Sequence, residues 1–270
     1  MLIPFSKIAS ALAISENQVR KTIALLDEGA TIPFISRYRK EMTGSLDEVQ
    51  VAKIRDMRDQ FLELEKRREA ILKSLMELGK LSPELEKAVK QAETLAKLED
   101  IYLPYKPKRK TRAMAAREKG LQGLADLLFQ QRIATPSDLA SSFVNPQKEV
   151  NNTEEALAGA RDILAEQMME NADAREDARR LFAKKTQVKS KVAKGKQEAG
   201  IKYKDYFDWS ESLHQAPSHR VLALLRGENE GILQLSMTGP DEDVLERLER
   251  RFITGRNACA QQVEMAIQDG

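Results

Sequence analysis

The sequence has little of what most catalytic and metal sites are built from. It contains one cysteine, Cys259, and two histidines, too few for an internal disulfide or for a zinc site of cysteine and histidine ligands. It also lacks a glycine-rich phosphate loop of the Walker type and a dinucleotide-binding fingerprint. We therefore expect no metal, no cofactor and no catalytic activity.

Long hydrophobic runs are missing as well. No stretch approaches the roughly 20 apolar residues that a helix needs to cross a bilayer. The first ten residues, MLIPFSKIAS, lack the basic start and long apolar core of a secretory signal. We expect a cytoplasmic protein that makes no membrane contact.

Aromatic residues are scarce, at 5% of the chain, whereas 41% of the residues are hydrophobic and 32% are charged. The apolar residues are mostly Leu, Ala and Ile set among Glu, Lys, Arg and Gln, which is a composition typical of helices. This composition predicts an all-α or mostly α fold, with at most a minor two-stranded β element.

The N-terminal pattern is typical of two short helices joined by a tight turn. The first is predicted over Pro4–Ala13, and the second begins at Ser15, with Gln18 at the spacing of a capping box. A structural helical hairpin is favoured over a sequence-reading helix-turn-helix. If the second helix did enter a DNA groove, Arg20 and Lys21 would be among the exposed contacts.

A long helix follows, predicted from Leu46 to Gly79 by a narrow apolar seam that only Arg68 interrupts. Ser82 and Pro83 then form a helix start, and the apolar residues after them supply an opposing face. We expect an antiparallel helical hairpin, and we favour it over an intermolecular coiled coil.

Toward the C-terminus the periodicity changes from helical to alternating. Apolar and polar residues alternate over 188–192 and again over 233–237, which predicts a small two-stranded pairing. Between these runs lies an aromatic group of Tyr203, Tyr206, Phe207 and Trp209. Aromatics beside lysines can stack on single-stranded bases, but this spacing is more typical of a core cluster.

These patterns divide the chain into four segments. They are a helix-turn-helix-like segment at 1–44, a long helical hairpin at 45–103, a basic loop and helical bundle at 104–185, and a mixed, mainly helical segment at 186–270.

The formal net charge of +2 hides two basic segments. The first basic segment, Pro104–Lys119, has seven basic residues and one acid, and the second, Lys184–Lys204, has eight lysines and one acid. The rest of the chain is therefore acidic. Such segregation favours a polyanionic partner, because each neutralised phosphate releases condensed counterions, although a basic run can also be a solvated surface.

Two hypotheses for function follow from the residues. The first is binding of a nucleic-acid backbone without strong sequence specificity, and the second is a helical scaffold that docks onto partners. For the first, the primary candidate contacts are Lys106, Lys108, Arg109, Lys110 and Arg112, and the secondary ones are Lys189, Lys191, Lys194 and Lys196.

Three long motifs carry a resemblance to a known family. They are DEGATIPFISRYRKEMTGSLDEVQ at Asp27–Gln50, LEDIYLPYKPKRKTRA at Leu98–Ala113 and KYKDYFDWSESLHQAPSHRVLALLRGENEG at Lys202–Gly231. The chain resembles the Tex family of bacterial transcription accessory proteins over nearly its whole length.

The resemblance implies a nucleic-acid-binding role in transcription. Tex proteins continue beyond such a helical region into an RNase H-like domain, helix-hairpin-helix units and a C-terminal S1 RNA-binding domain. We therefore expect an N-terminal fragment that binds RNA or DNA weakly. RNA polymerase or ribosome-associated machinery is a further implied partner, and we expect a monomer.

Overall fold

The structure is a computed structural model that describes residues 4–107, 109–132 and 135–270. The chain divides into two compact units, the first ending at Lys106 and the second beginning at Pro107. Helices make up most of both units, which confirms the predicted mostly α fold. Segments 1–44 and 45–103 fall in the first unit, and segment 186–270 falls in the second.

The first unit is built from helices whose starts are set by polar caps. Ser15 and Gln18 form the predicted capping box, and Asp47 and Gln50 form another at the start of the longest helix. Helices α1 to α7 span Phe5–Leu12, Glu16–Asp27, Ile32–Tyr38, Lys40–Thr43, Glu48–Glu77, Pro83–Gln91 and Leu95–Tyr102.

Helices α1, α2, α3 and the start of α5 share one hydrophobic core. Ile8, Val19, Ile35 and Ile54 are completely buried in it. Within each helix the apolar residues lie three or four positions apart, which places them on one side of that helix. The core fixes the orientation of α3, whose outer side is then left to solvent.

The predicted helical hairpin is present, but its return arm is divided into α6 and α7. Arg68, the polar interruption of the α5 seam, lies at this division. Its guanidinium donates to the backbone oxygens of Val89 at 3.1 Å and Ala92 at 2.6 Å, where α6 ends. Thr94 then caps α7 by accepting from the backbone N–H of Lys97. The break leaves carbonyl groups that a continuous helix would have bonded internally, and Arg68 donates to two of them.

The second unit is organised around a central helix, α11. This helix spans Thr153–Met169 and contacts α8, α9, α10 and α15. Ala160, Ile163 and Leu164 are completely buried in the resulting core. Helices α8 to α15 span Arg112–Glu118, Gln122–Phe129, Pro136–Ser141, Thr153–Met169, Ala172–Lys185, Ser218–Asn229, Asp241–Phe252 and Ala258–Asp269.

A small antiparallel sheet lies in the same unit. Its strands are β1 (Gln187–Val192), β2 (Asp208–Ser212) and β3 (Leu233–Thr238), in the order β2-β1-β3. The predicted pairing of 188–192 with 233–237 is confirmed. The limit of two strands was wrong, because β2 is a third strand whose alternating Asp and Ser residues give no hydrophobic strand signal.

Helix α13 passes through Gly227 without ending there. The helix continues to Asn229, and the left-handed backbone conformation follows at Gly231, with φ +66°. Gly227 is needed for a close approach instead, because a Cβ atom there would lie 2.6 Å from Cδ1 of Leu233. The glycine thus allows α13 to pack directly against the sheet.

Candidate nucleic-acid interface

The first basic segment is largely neutralised by nearby carboxylates. Lys110 contacts Glu118 at 2.6 Å, and Arg112 contacts Asp162 on α11 at 3.4 Å. The hydrogen bond from Lys110 to Glu118 raises the pKa of the lysine above its usual value. Two of the five predicted contacts of this segment are therefore already paired.

The other three predicted contacts of that segment are exposed or lie outside the described residues. Lys106, in the first unit, and Arg109, in the second, are exposed and form no ion pair with a described carboxylate. Lys108 lies outside the described residues. Further along the segment, Arg117 pairs with Glu166 at 2.5 Å, so much of the local positive charge is compensated.

The second basic segment keeps more of its charge. Lys189 and Lys191 lie on β1, and Lys194 and Lys196 lie in the turn that follows. All four are exposed, and none forms an ion pair within the described part of the chain. Pairing is confined to other lysines of the segment, among them Lys185, which contacts Asp243.

The register of the sheet places Lys189 and Lys191 among polar neighbours. Lys189 lies opposite Ser210 and Ser236, and Lys191 lies opposite Asp208 and Gln234. Residues that face each other across antiparallel strands point to the same side of the sheet. We call this side the polar sheet face; its members are Gln187, Lys189, Lys191, Asp208, Ser210, Ser212, Gln234, Ser236 and Thr238.

The opposite side of the sheet is mostly apolar, and part of it packs on a buried cluster. Tyr203 is buried with Leu224, Ile232 and Leu233, and Tyr206, Phe207 and Trp209 pack against this group. The core interpretation of the aromatic cluster is thereby confirmed. Because the strands are anchored on one side, the lysines on the other are presented from a fixed backbone.

Sequence reasoning identified these lysines but missed their polar neighbours. Ser210, Ser236 and Gln234 join the polar sheet face only through strand register. The alternation of Asp208, Ser210 and Ser212 was the one available signal, and it lacks the apolar residues by which a strand is usually identified.

The candidate contacts on α2 have mixed surroundings. The guanidinium of Arg20 lies 4.3 Å from the centre of the Phe5 ring, whereas Lys21 is exposed. Gln18 is committed to its capping box and donates to the backbone oxygens of Thr43 and Gly44. Both cations are exposed, and DNA reading by α2 stays the less favoured of the two interpretations.

Cys259 is completely buried in α15. Burial raises the pKa of its thiol, whereas a reactive cysteine needs a lowered one. Within the described residues, no group of three or more His, Cys, Asp or Glu side chains is placed to hold a metal ion. No helix in that part of the chain is long and apolar enough to cross a membrane.

Comparison with known proteins agrees with the resemblance of the three motifs. Residues 131–269 match the family described as Tex central region-like, and residues 4–76 match the Tex-like protein N-terminal domain. The two matches fall on opposite sides of the first basic segment.

Individual relatives show the same relationship. Protein YhgF of Escherichia coli strain K12 is 47% identical over 230 residues, which are 85% of this chain and 30% of that protein. Transcriptional accessory protein Tex of Neisseria gonorrhoeae is 41% identical over 236 residues, or 87% of this chain and 31% of that protein. S1 RNA-binding domain-containing protein 1 of Homo sapiens is 29% identical over 229 residues, or 81% of this chain and 22% of that protein. The chain thus spans about 30% of the length of these bacterial relatives, and it belongs to the Tex family of transcription accessory proteins.

Proposed function

We propose that this chain binds the backbone of RNA or DNA without strong sequence specificity, and that the polar sheet face with the turn after β1 is the main contact. The observation that carries the proposal is the group of four exposed lysines, Lys189, Lys191, Lys194 and Lys196, without a described carboxylate partner. Phosphate contacts from lysines position a nucleic acid but read no sequence.

The first basic segment has the smaller part in this proposal, which reverses the order expected from the sequence. Lys110 and Arg112 would have to exchange Glu118 and Asp162 for phosphates. Exposed ion pairs are weak, so the exchange is feasible, but it gains less than the neutralisation of an unpaired lysine.

The names of the relatives support a role of this kind. One bacterial relative is called a transcriptional accessory protein, and the human relative is named for an S1 RNA-binding domain. A backbone-binding surface in the present chain would add contacts to those of other domains in a longer protein. Binding by this chain alone is accordingly proposed to be weak.

A salt titration tests the proposal. Binding of single-stranded RNA and of duplex DNA is measured at several salt concentrations for the wild type and for a variant in which the four lysines become Gln. A control variant removes four exposed lysines of the hairpin and so carries the same net charge: Lys66→Gln, Lys73→Gln, Lys80→Gln and Lys87→Gln.

The slope of log affinity against log salt is expected to shrink by about 0.7 for each phosphate of a single strand that the variant no longer neutralises. The sheet variant should therefore bind RNA more weakly and with a shallower slope than the control. Equal affinities and slopes for the two variants would contradict the proposal.

A second candidate function is docking of the helical scaffold onto the transcription machinery or onto further domains. It is favoured by the exposed apolar side chains Leu222 on α13 and Met237 on β3, which are 63% and 70% exposed. This function predicts partner binding that changes little with salt and survives the loss of the four lysines.

The absence of catalytic activity stays a prediction. Nuclease and nucleotide-hydrolysis assays at stoichiometric protein test it, and turnover in either would contradict it.

A further inference from the structure

The outer side of α3 presents two aromatic rings to solvent. Phe34 is 39% exposed and Tyr38 is 64% exposed, whereas Ile35 on the other side of the helix is completely buried. Ser36 is also buried, and its hydroxyl donates to the backbone oxygen of Ile32 at 3.1 Å. The helix is anchored by Ile35 on the side that faces the core.

The rings form a small ordered group with a guanidinium. The centres of the Phe34 and Tyr38 rings are 5.6 Å apart and the planes are tilted by 42°. The guanidinium of Arg39 lies 5.0 Å from the centre of Phe34 and donates to the backbone oxygen of Tyr38 at 3.0 Å. Phe34 is therefore partly covered, and Tyr38 is the more accessible ring.

The charge beside the rings is positive and uncompensated. Arg37, Arg39 and Lys40 form no ion pair with any carboxylate that the structure describes. Arginines of the neighbouring helix α5 behave differently: Arg55 contacts Asp56 at 2.6 Å, and Arg58 contacts Asp27 at 2.7 Å. The cations near Tyr38 keep a charge that a polyanion can neutralise.

We propose that this aromatic patch, made of Phe34, Arg37, Tyr38, Arg39 and Lys40, binds single-stranded nucleic acid by stacking a base on Tyr38. Arg37 and Lys40 would hold the neighbouring phosphates. Every base has a flat π-face, so stacking is tolerant of sequence, and aromatic rings beside cations are the usual platform for it.

The inference rests on the proposed function, because it takes nucleic acid as the ligand, but it uses a different unit and a different interaction. The polar sheet face recognises phosphates only. The aromatic patch also needs a base to stack on. An abasic strand therefore distinguishes binding at the aromatic patch from binding at the polar sheet face.

The test compares a uridine oligonucleotide with an abasic phosphodiester strand of the same length, using fluorescence anisotropy and the full chain. Tyr38→Ala is the main variant, and because the ring is exposed its removal leaves no cavity in the core. Tyr38→Phe keeps the stacking surface. Met76→Ala, at a position that is 67% exposed, is the control for loss of an exposed side chain.

Tyr38→Ala is expected to weaken binding of the uridine strand about tenfold, in line with the loss of one stacked base, and to leave binding of the abasic strand unchanged. Tyr38→Phe and Met76→Ala should bind as the wild type does. Each variant is also combined with the four lysine changes at the sheet. Phosphate binding at the sheet is then weak, so that a loss of stacking at Tyr38 makes a larger difference to the measured affinity.

The outcomes separate the two proposals. If Tyr38→Ala binds the uridine strand like the wild type in both backgrounds, the stacking inference is overturned, while a loss in the lysine variant still supports the sheet. If the lysine changes have no effect but Tyr38→Ala does, the stacking inference holds and the sheet proposal fails. If Tyr38→Ala loses binding of poly-L-glutamate but not of the oligonucleotide, the patch recognises an acidic protein segment and the inference is overturned.

Discussion

A lysine is available to a phosphate only as far as no carboxylate already neutralises it. Lys110 and Lys189 are both exposed, and both lie in basic segments. Lys110 contacts Glu118 at 2.6 Å, whereas the cross-strand neighbours of Lys189 are Ser210 and Ser236. The two lysines therefore differ in whether a carboxylate lies beside the ammonium group. For this reason the second basic segment is proposed as the main contact.

Arg68 shows how a single polar residue shapes the hairpin. Its side chain is only 12% exposed, and its guanidinium holds two backbone oxygens at the end of α6. Replacement by Met would give α5 the apolar seam that its spacing suggests, but it would leave the oxygens of Val89 and Ala92 without this donor.

We predict that Arg68→Met lowers the free energy of unfolding by about 1–3 kcal/mol, because the oxygen of Ala92 loses this donor and the oxygen of Val89 keeps only the backbone N–H of Ala92, at 3.4 Å. Glu65 also loses its ion pair with Arg68. Urea denaturation measures the change. Arg55→Met, on the exposed side of the same helix, is the control and should change stability by less than about 0.5 kcal/mol. A variant at Arg68 that is as stable as the wild type would show that the apolar seam outweighs the missing hydrogen bonds.

At the scale of elements, helices α12 and α14 are tied together by ion pairs to one carboxylate. Asp177 on α12 accepts from Arg251 at 2.6 Å and from Arg247 at 2.9 Å, both on α14. These bonds lower the pKa of Asp177 below its usual value. Because the charged form is favoured in the folded state, the pairing stabilises the protein above the unfolded-state pKa and is lost as the pH falls through the folded-state value.

We predict that Asp177→Asn is less stable than the wild type at pH 7, and that the difference shrinks as the pH falls below about 4, where the unfolded-state carboxyl titrates. Urea denaturation at pH 7, 5 and 3.5 measures this. Asp205→Asn, at an exposed position without a described ion pair, is the control. If the stability difference between Asp177→Asn and the wild type stays constant with pH, the charge of Asp177 does not contribute to the stability.

Much of the helical architecture could be predicted, because the signals that start and stop helices are local. The capping box of Ser15 and Gln18 and the helix start at Ser82 and Pro83 are read from neighbouring residues. The alternating run on β1 was also sufficient to predict its pairing with β3. Strand β2 was not predictable, since its pairing depends on a sheet already formed and on a buried Tyr203 cluster beneath it.

The sequence predicted which basic residues belong to the candidate site, but not which of the two basic segments keeps more of its charge. Local sequence shows where lysines and arginines concentrate, but Asp162, which pairs with Arg112, lies far along the chain. The exposure of Tyr38 was equally hidden, because the sequence does not reveal which side of a short helix the core will cover. The ion-pair partner of a basic residue and the exposure of an aromatic ring are both set by tertiary packing.

At the scale of the whole molecule, the net charge of +2 gives little long-range attraction to a polyanion. Binding must then come from local surfaces that keep their charge, which makes it weak and strongly dependent on salt. The chain spans about 30% of the length of its bacterial relatives, so a longer protein has room for further contacts.

The most direct test of the central claim is a lysine acetylation footprint of the full chain with and without single-stranded RNA, read by mass spectrometry. Every lysine is then compared within one molecule, including paired and unpaired ones. We predict that RNA protects Lys189, Lys191, Lys194 and Lys196 strongly and leaves Lys66 and Lys73 of the hairpin as reactive as in the free protein. Protection confined to Lys110 and Lys119, or no protection at the sheet, would contradict the account.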